Sequence, residues 1–300
     1  MTRTLTAFNH YGIGDLFESR EFVLEWMRVL GISECEYACR YPAVFEDLPQ
    51  IKTRPLTDDL NMRHWASKRN GRYLLNTWIG ALNGETTPKG DYVIWPGIGC
   101  TVEHIRRMHS DYMARLGLGR ITKPAQEFLT TVDYSRVRHG VFEVSEFVNR
   151  HQSNRLILVC NGPTGSGHAA NFDMAAMVAK ISENDLDIFL LTERVLFQNQ
   201  PANIFFTDDI TERNGRCDVL AISYLSTFCD VIVGRCSGAQ MVCETKENWM
   251  DPSKTLLSFT QHDNGATFVR DPVALGLKMR RVWSGASTPE EAAEVLKGVL

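Results

Sequence analysis

Short apolar runs along this chain alternate with longer stretches in which apolar residues recur every third or fourth position, a pattern that predicts strands followed by helices. Residues 5–10 read as a strand, and Leu16, Phe17, Val23, Leu24, Met27 and Leu30 share one face of a helix over residues 16–30. Strands are expected at 36–39, 72–78 and 91–95, a proline-punctuated connector at 41–55, and an amphipathic helix at 102–116 stopped by Gly117 and Gly119. From Lys123 to Asn154 the pattern weakens into polar, mixed-charge sequence, and at 155–160 it starts again. The second stretch predicts strands at 188–192, 204–207, 231–234 and 256–259, and helices at 172–181, 219–228, 240–246 and 289–300, with Thr288 as cap of the last and Pro289 in its first turn. Strand–helix alternation favours parallel sheets. The chain therefore divides near residue 150 into two doubly wound α/β halves, 1–150 and 151–300, with the closing helix 289–300 able to pack back on the first half.

Length fits this division, since 300 residues is about twice a common domain and lets each half bury its own core. A formal charge of −4 with a pI near 6.1 argues against a nucleic-acid-binding surface. The first residues lack the apolar core of a secretion signal, and no apolar run is long enough to span a bilayer. A cytoplasmic protein without a transmembrane segment is expected, with peripheral membrane contact left open. The eight cysteines show no CxxC pair and sit in apolar patterns, so they read as reduced core thiols.

Candidate chemistry gathers at glycine turns. The strand 231–234 runs into Arg235-Cys236-Ser237-Gly238 and then, through Ala239 and Gln240, into a helix. Free N–H groups at such a junction suit an anion, Gly238 allows close approach, and Arg235 adds permanent charge. At the other end of the chain His10 and Tyr11 lead into Gly12-Ile13-Gly14-Asp15. Asp15 reads first as a helix-capping carboxylate and second as a base for a hydroxyl nucleophile, and His10 could share that proton or simply be hydrogen-bonded. Two such sites, one per half, imply a cleft.

A third turn, Asn161-Gly162-Pro163-Thr164-Gly165-Ser166-Gly167-His168-Ala169, has P-loop glycine spacing, yet His168 and Ala169 stand where that loop needs lysine and a hydroxyl. What is left is a turn able to approach a sugar or phosphate. Asp185-Leu186-Asp187 falls at the amino edge of its strand, away from where ligands bind in open α/β sheets, and Asp58-Asp59 reads as a turn. Thr207 and Asp208, beside Asp209, follow a strand and are further candidates for lining the cleft. No metal site and no cofactor is expected. There is no G-x-S-x-G elbow and no H-E-x-x-H, and Gly12-x-Gly14 lacks its third glycine.

In order, the GIGD turn, the helix ending at Gly117, the strand with its glycine-rich turn near 160 and ISYLSTFCDVIVGRCSGAQMV resemble the GT-B glycosyltransferases. They resemble most the heptosyltransferase type of glycosyltransferase family nine, with some likeness to bacterial fucosyltransferase-like enzymes. Cys229-Asp230 matches the family's helix end, Ser237-Gly238 its diphosphate turn, and Gly14-Asp15 the turn carrying its proposed base. Arg235-Cys236 replaces an Asp, Ala239-Gln240-Met241 replaces Pro-Met-His, and the lysine expected within 161–171 is missing, which points to a nucleotide sugar other than the heptose donor.

The resemblance implies two Rossmann-like domains facing a central cleft, acceptor-binding over 1–150 and nucleotide-sugar-binding over 151–300. It also implies a hexosyl- or heptosyltransferase of polysaccharide biosynthesis, inverting and metal-independent, that uses a nucleotide-diphosphate sugar and a glycan or glycoconjugate acceptor. Asp15 and His10 would be catalytic, and Arg235 to Gln240 would hold the diphosphate. The rival readings are a P-loop-like phosphotransfer protein and a non-catalytic nucleotide-sugar-binding module.

Overall fold

The computed structural model describes residues 3–60, 66–78, 102–165, 169–182, 186–260 and 268–300, and the backbone of 85–86 and 92–93. The chain forms two compact units, Met1–Thr131 with Thr267–Arg270, and Val132–Ala266 with Asp271–Leu300.

The first unit contains β1 (Thr4–Phe8), α1 (Ile13–Leu30), β2 (Cys35–Ala38), a 3-10 turn at Pro42–Phe45, β3 (Ile51–Arg54), β4 (Ala66–Arg69), β5 (Arg72–Asn76), the short pair β6 (Glu85–Thr86) and β7 (Tyr92–Val93), and α2 (Val102–Arg115). Its main sheet has the order β3-β2-β1-β5-β4. β1, β2, β3 and β5 are parallel and β4 is antiparallel to β5. The antiparallel edge follows from Asn70-Gly71, with φ of 51° and 80°, the signature of a tight hairpin turn. β3 forms inside what the sequence predicts to be a connector. α1 starts three residues earlier than periodicity indicates, at Ile13 with Gly12 as N-cap, which puts Gly14 and Asp15 inside its first turn. It ends at Gly31, in the left-handed conformation at φ 66°.

The second unit contains α3 (Val141–Arg150), β8 (Arg155–Val159), α4 (Met174–Ala179), β9 (Asp187–Leu191), β10 (Ile204–Phe206), α5 (Thr207–Ile210), α6 (Val219–Ser226), β11 (Val231–Gly234), α7 (Gly238–Met241), α8 (Lys246–Trp249), β12 (Thr255–Phe259), β13 (Arg280–Ser284) and α9 (Pro289–Lys297). All six strands are parallel in the order β10-β9-β8-β11-β12-β13. Strand order reverses between β8 and β11, the doubly wound arrangement whose crevice at the carboxyl ends takes ligands. Ile157, Val159, Phe189, Leu191, Val233 and Leu257 form one buried core with α4 and α9. Runs apolar at every position suit strands covered on both faces.

One boundary differs from the sequence reading. The division falls between Thr131 and Val132, ahead of residue 150, because α3 packs on α6 of the second unit. α9 forms from Pro289 to Lys297. It packs on α4 and sends Ala292, Ala293 and Leu296 into the second unit's core. Thr288 caps α9 as predicted, its hydroxyl accepting from the Glu291 amide at 3.3 Å. Of the seven described cysteines all but Cys217 are buried; Cys100 lies outside the described residues. Among the described residues no helix is long and apolar enough to cross a membrane.

Candidate functional site

In the first unit the strand order reverses between β1 and β5, and polar side chains collect at their carboxyl ends. Thr77 Oγ1 is the hub, 3.2 Å from Asn9 Nδ2 and 2.6 Å from the Tyr37 hydroxyl, which in turn lies 2.9 Å from Ser19 Oγ. Asp15, Glu18, Ser19, Thr77 and Ile105 surround a cavity of about 10 Å³, roughly the room for one water. Backbone N–H groups of Asp15 itself and of Gly12 face the Asp15 carboxylate and favour its charged form. That is the backward-reaching half of a capping box. Burial is the larger effect and raises its pKa above the ordinary carboxylate range. The capping and base readings are therefore compatible: the carboxylate faces the first-turn N–H groups while desolvation makes it a better proton acceptor.

His10 is half-buried and packs edge-on against Phe8 with ring centroids 5.6 Å apart. It also lines a cavity of about 780 Å³ with Arg40 and Arg54. These three basic side chains stand at the carboxyl ends of β1, β2 and β3, and in sequence Arg40 and Arg54 look like ordinary loop residues. Their common place follows only from the parallel register that sets Ala38 beside Arg54.

At the second unit's reversal point, Arg235 follows β11 and is buried. One guanidinium nitrogen donates to the Asn161 and Gly162 carbonyls at 3.1 and 3.0 Å, the other donates to the Phe172 carbonyl, and the group lies over the Phe172 ring at 4.8 Å. Burial lowers its pKa and the nearby Asp173 partly opposes that. Arg235 thus ties the turn after β8 to the end of β11. Cys236 has φ of 54°, and its amide donates to Gln240 Oε1 at 2.5 Å while Gln240 Nε2 donates to Ser258 Oγ at 2.6 Å. A side chain at Gly234 would meet Gln240 at 2.6 Å, so glycine is required there. Gln240 is fully buried and braces the turn from inside. Ser237 is the N-cap residue of α7, its hydroxyl buried without a hydrogen-bond partner among the described residues. Gly238 and Ala239 form the first turn of α7.

The remaining candidates occupy different surroundings. Asn161 spans from β8 to β9, accepting from the Glu193 amide at 2.7 Å and donating to its carbonyl at 2.8 Å. Gly162 and Thr164 form a turn closed by Asn171, whose side chain bonds the Thr164 amide and carbonyl at 2.9 and 3.0 Å; Gly165 follows, and Ser166 and His168 lie outside the described residues. Asp173 caps α4 by accepting from the Ala175 and Ala176 amides, so the helix after this turn offers those N–H groups to its own carboxylate. Thr207 and Asp208 begin α5 after β10, at the sheet's outer edge and not at the reversal point. Arg194 pairs with both Asp208 and Asp209. Asp187 is buried against Arg155, with contacts at 2.6 and 2.8 Å. Among the described residues no cluster of histidine, cysteine or carboxylates could hold a metal.

No protein-family model matches this sequence. No curated protein matches it either. Solved structures do. A glycosyl transferase of family 9 from Veillonella parvula is similar at a TM-score of 0.55 and 9% identity, over 99% of this chain and 92% of its own. The E. coli heptosyltransferase WaaC, solved with ADP, is similar at a TM-score of 0.52 and 7% identity, over 99% of this chain and all 100% of its own. Likeness at such identities speaks to architecture, and with the sheet topology it gives the chain the two-sheet α/β fold of the GT-B glycosyltransferases, the fold class predicted from the sequence.

Proposed function

We propose that this protein is a glycosyltransferase that moves a sugar from a nucleotide-diphosphate sugar to a hydroxyl of a glycan or glycoconjugate, with inversion and without a metal. The observation that carries this reading is Asp15, a carboxylate that lines the small cavity at the reversal point of the first sheet and is made more basic by burial. Asp15 takes the proton of the acceptor hydroxyl as its oxygen attacks the anomeric carbon. The bond from that carbon to the diphosphate breaks, the electron pair leaves with the diphosphate, and the configuration inverts. The WaaC structure was solved with ADP, which supports a nucleoside diphosphate as the ligand, and the glycine turn after β11 makes the second unit its place in this reading.

There the turn from Arg235 to Ala239 supplies backbone N–H groups and a fixed positive charge to the leaving group. Arg235 acts mainly through this charge and by holding the turn, since carbonyls already take its donors. The cavity lined by His10, Arg40 and Arg54 is the acceptor's place in this reading. Phosphotransfer has less support, because Asp173 already caps α4.

The test is a thermal-shift series with nucleoside diphosphates and nucleotide sugars in EDTA, followed by product analysis. A nucleoside diphosphate at a hundred times its Kd should stabilise the protein by about 2.7 kcal/mol, and a matching nucleotide sugar should be consumed. Stabilisation only by ATP with magnesium, or turnover abolished by EDTA, would sink the proposal.

A further inference from the structure

The two central strands of the first sheet end in the same three-residue device. β1 runs into Asn9-His10-Tyr11 and β5 ends in Asn76-Thr77-Trp78. In each, the asparagine Oδ1 accepts the N–H two residues on, at 2.9 Å for Tyr11 and 3.0 Å for Trp78. The parallel register sets Phe8 opposite Asn76, so the turns lie side by side and are pinned by the bond from Asn9 Nδ2 to Thr77 Oγ1. The Tyr11 and Trp78 rings consequently stack, with centroids 4.0 Å apart and planes 20° apart. Both residues are half-buried and neither belongs to the buried core.

A paired aromatic face held rigidly at the carboxyl edge of a sheet is suited to a flat partner. An aromatic face is electron-rich and attracts weakly positive C–H groups, and a pyranose ring presents such C–H groups on one side and hydroxyls around its rim. The neighbours favour a sugar. Thr77 joins the two aromatic positions to the Asp15 cavity, and His10 stands between Asn9 and Tyr11, so hydroxyl-binding groups flank the platform on both strands.

We propose that Tyr11 and Trp78 form a saccharide platform on which a pyranose ring of the acceptor lays its C–H face, presenting a hydroxyl to Asp15. That the sugar is the acceptor rests on the transferase reading; that a saccharide stacks here does not.

Saturation-transfer NMR tests the platform directly, with maltose, cellobiose and diacetylchitobiose as saccharide probes and adenosine and uridine as competing flat ligands. In the wild type the ring protons of at least one saccharide should receive saturation. Trp78→Ala and Tyr11→Ala should each weaken that saccharide about tenfold, while Trp78→Phe, which keeps a ring, should stay within about threefold. If the alanine variants unfold, 5-fluorotryptophan incorporation with the Trp78 resonance assigned through Trp78→Phe replaces them, and that resonance should shift on adding the saccharide. Saturation reaching none of the saccharides, equal saturation in the alanine variants, an unmoved fluorine resonance, or nucleosides binding at this pair in place of saccharides would each overturn the proposal. Saccharides that bind at the pair while no nucleotide sugar is consumed would defeat the transferase reading and leave the platform standing. Transfer with an unchanged acceptor KM in both alanine variants would do the reverse.

Discussion

The glycine turns of the two units sit at equivalent places, each at the carboxyl edge of a parallel sheet where strand order reverses, yet they are built in opposite ways. In the first unit the turn after β1 is held by short side chains, Asn9, Thr77 and the backward-reaching Asp15, and its large groups, Tyr11, Trp78 and His10, are left half-exposed. In the second unit the large polar groups are spent on the fold: Arg235 clasps three carbonyls and Gln240 braces the Cys236 amide from within. A recurring topological position therefore fixes where chemistry can occur, and the side chains decide which partner each turn faces. The first turn offers a base and aromatic surface, suited to a hydroxyl-bearing acceptor. The second offers a preformed backbone with fixed positive charge, suited to a diphosphate.

Removing one group from each turn should separate these roles. Asp15→Asn should lower the transfer rate about a hundredfold or more with nucleoside-diphosphate affinity and melting temperature close to wild type. A rate within severalfold of wild type would take Asp15 out of the mechanism. In wild type, the acid limb of the pH–rate profile should lie above the ordinary carboxylate range, since burial raises the Asp15 pKa.

Gln240→Met should show the opposite signature. It removes the hydrogen bond that the Cys236 amide donates to Gln240, which costs about 1–3 kcal/mol, and nucleoside-diphosphate affinity should fall about tenfold while the acceptor KM is unchanged. Calorimetric titration and a denaturant midpoint check both parts, and unaltered nucleotide affinity would mean the turn needs no brace.

Acid should weaken the first unit through His109. Its Nδ1 accepts from Trp26 Nε1 at 3.0 Å, and complete burial lowers its pKa to about 3. The unfolded chain protonates first, near pH 6.5. The stability that depends on neutral His109 is therefore present above that value and lost as pH falls towards 3, by about 1.4 kcal/mol per pH unit. Denaturant midpoints between pH 7 and pH 4 should show this slope, and His109→Gln should flatten it.

The smallest effect is expected far from either turn. Thr288→Ala removes the cap of α9 and should cost about 1 kcal/mol, read as a small fall in melting temperature with unchanged turnover.

Elements whose apolar positions follow a single period were legible in the sequence. β8 to β12, the body of α1, α2 and α9 with its Thr288 cap stand close to their predicted places. β3 was not legible because Ile51–Arg54 has one buried apolar residue and gains strand structure only by pairing with β2. β4 is mostly exposed, and its one local signal was Asn70-Gly71. The buried pair Arg20–Asp47, 2.5 Å apart and with both side chains fully covered, joins residues far apart in the chain that carry no joint pattern. The two site turns were visible as glycine junctions, but sequence could not tell which polar side chains would be consumed internally. Arg235 and Gln240 looked like ligands because arginine and glutamine bear donors, and whether a donor meets a ligand or a carbonyl depends on what the fold brings next to it.

The sequence by itself determined the alternation of strand and helix, the parallel central strands of both sheets and the presence of a glycine turn in each, because period, capping and turn chemistry act over a few residues. Only the tertiary structure decided that Asn9 meets Thr77, that Tyr11 stacks on Trp78, and that Arg40 and Arg54 share one cavity with His10. Those contacts depend on strand order and register, which are fixed when buried faces choose their partners across long stretches of chain.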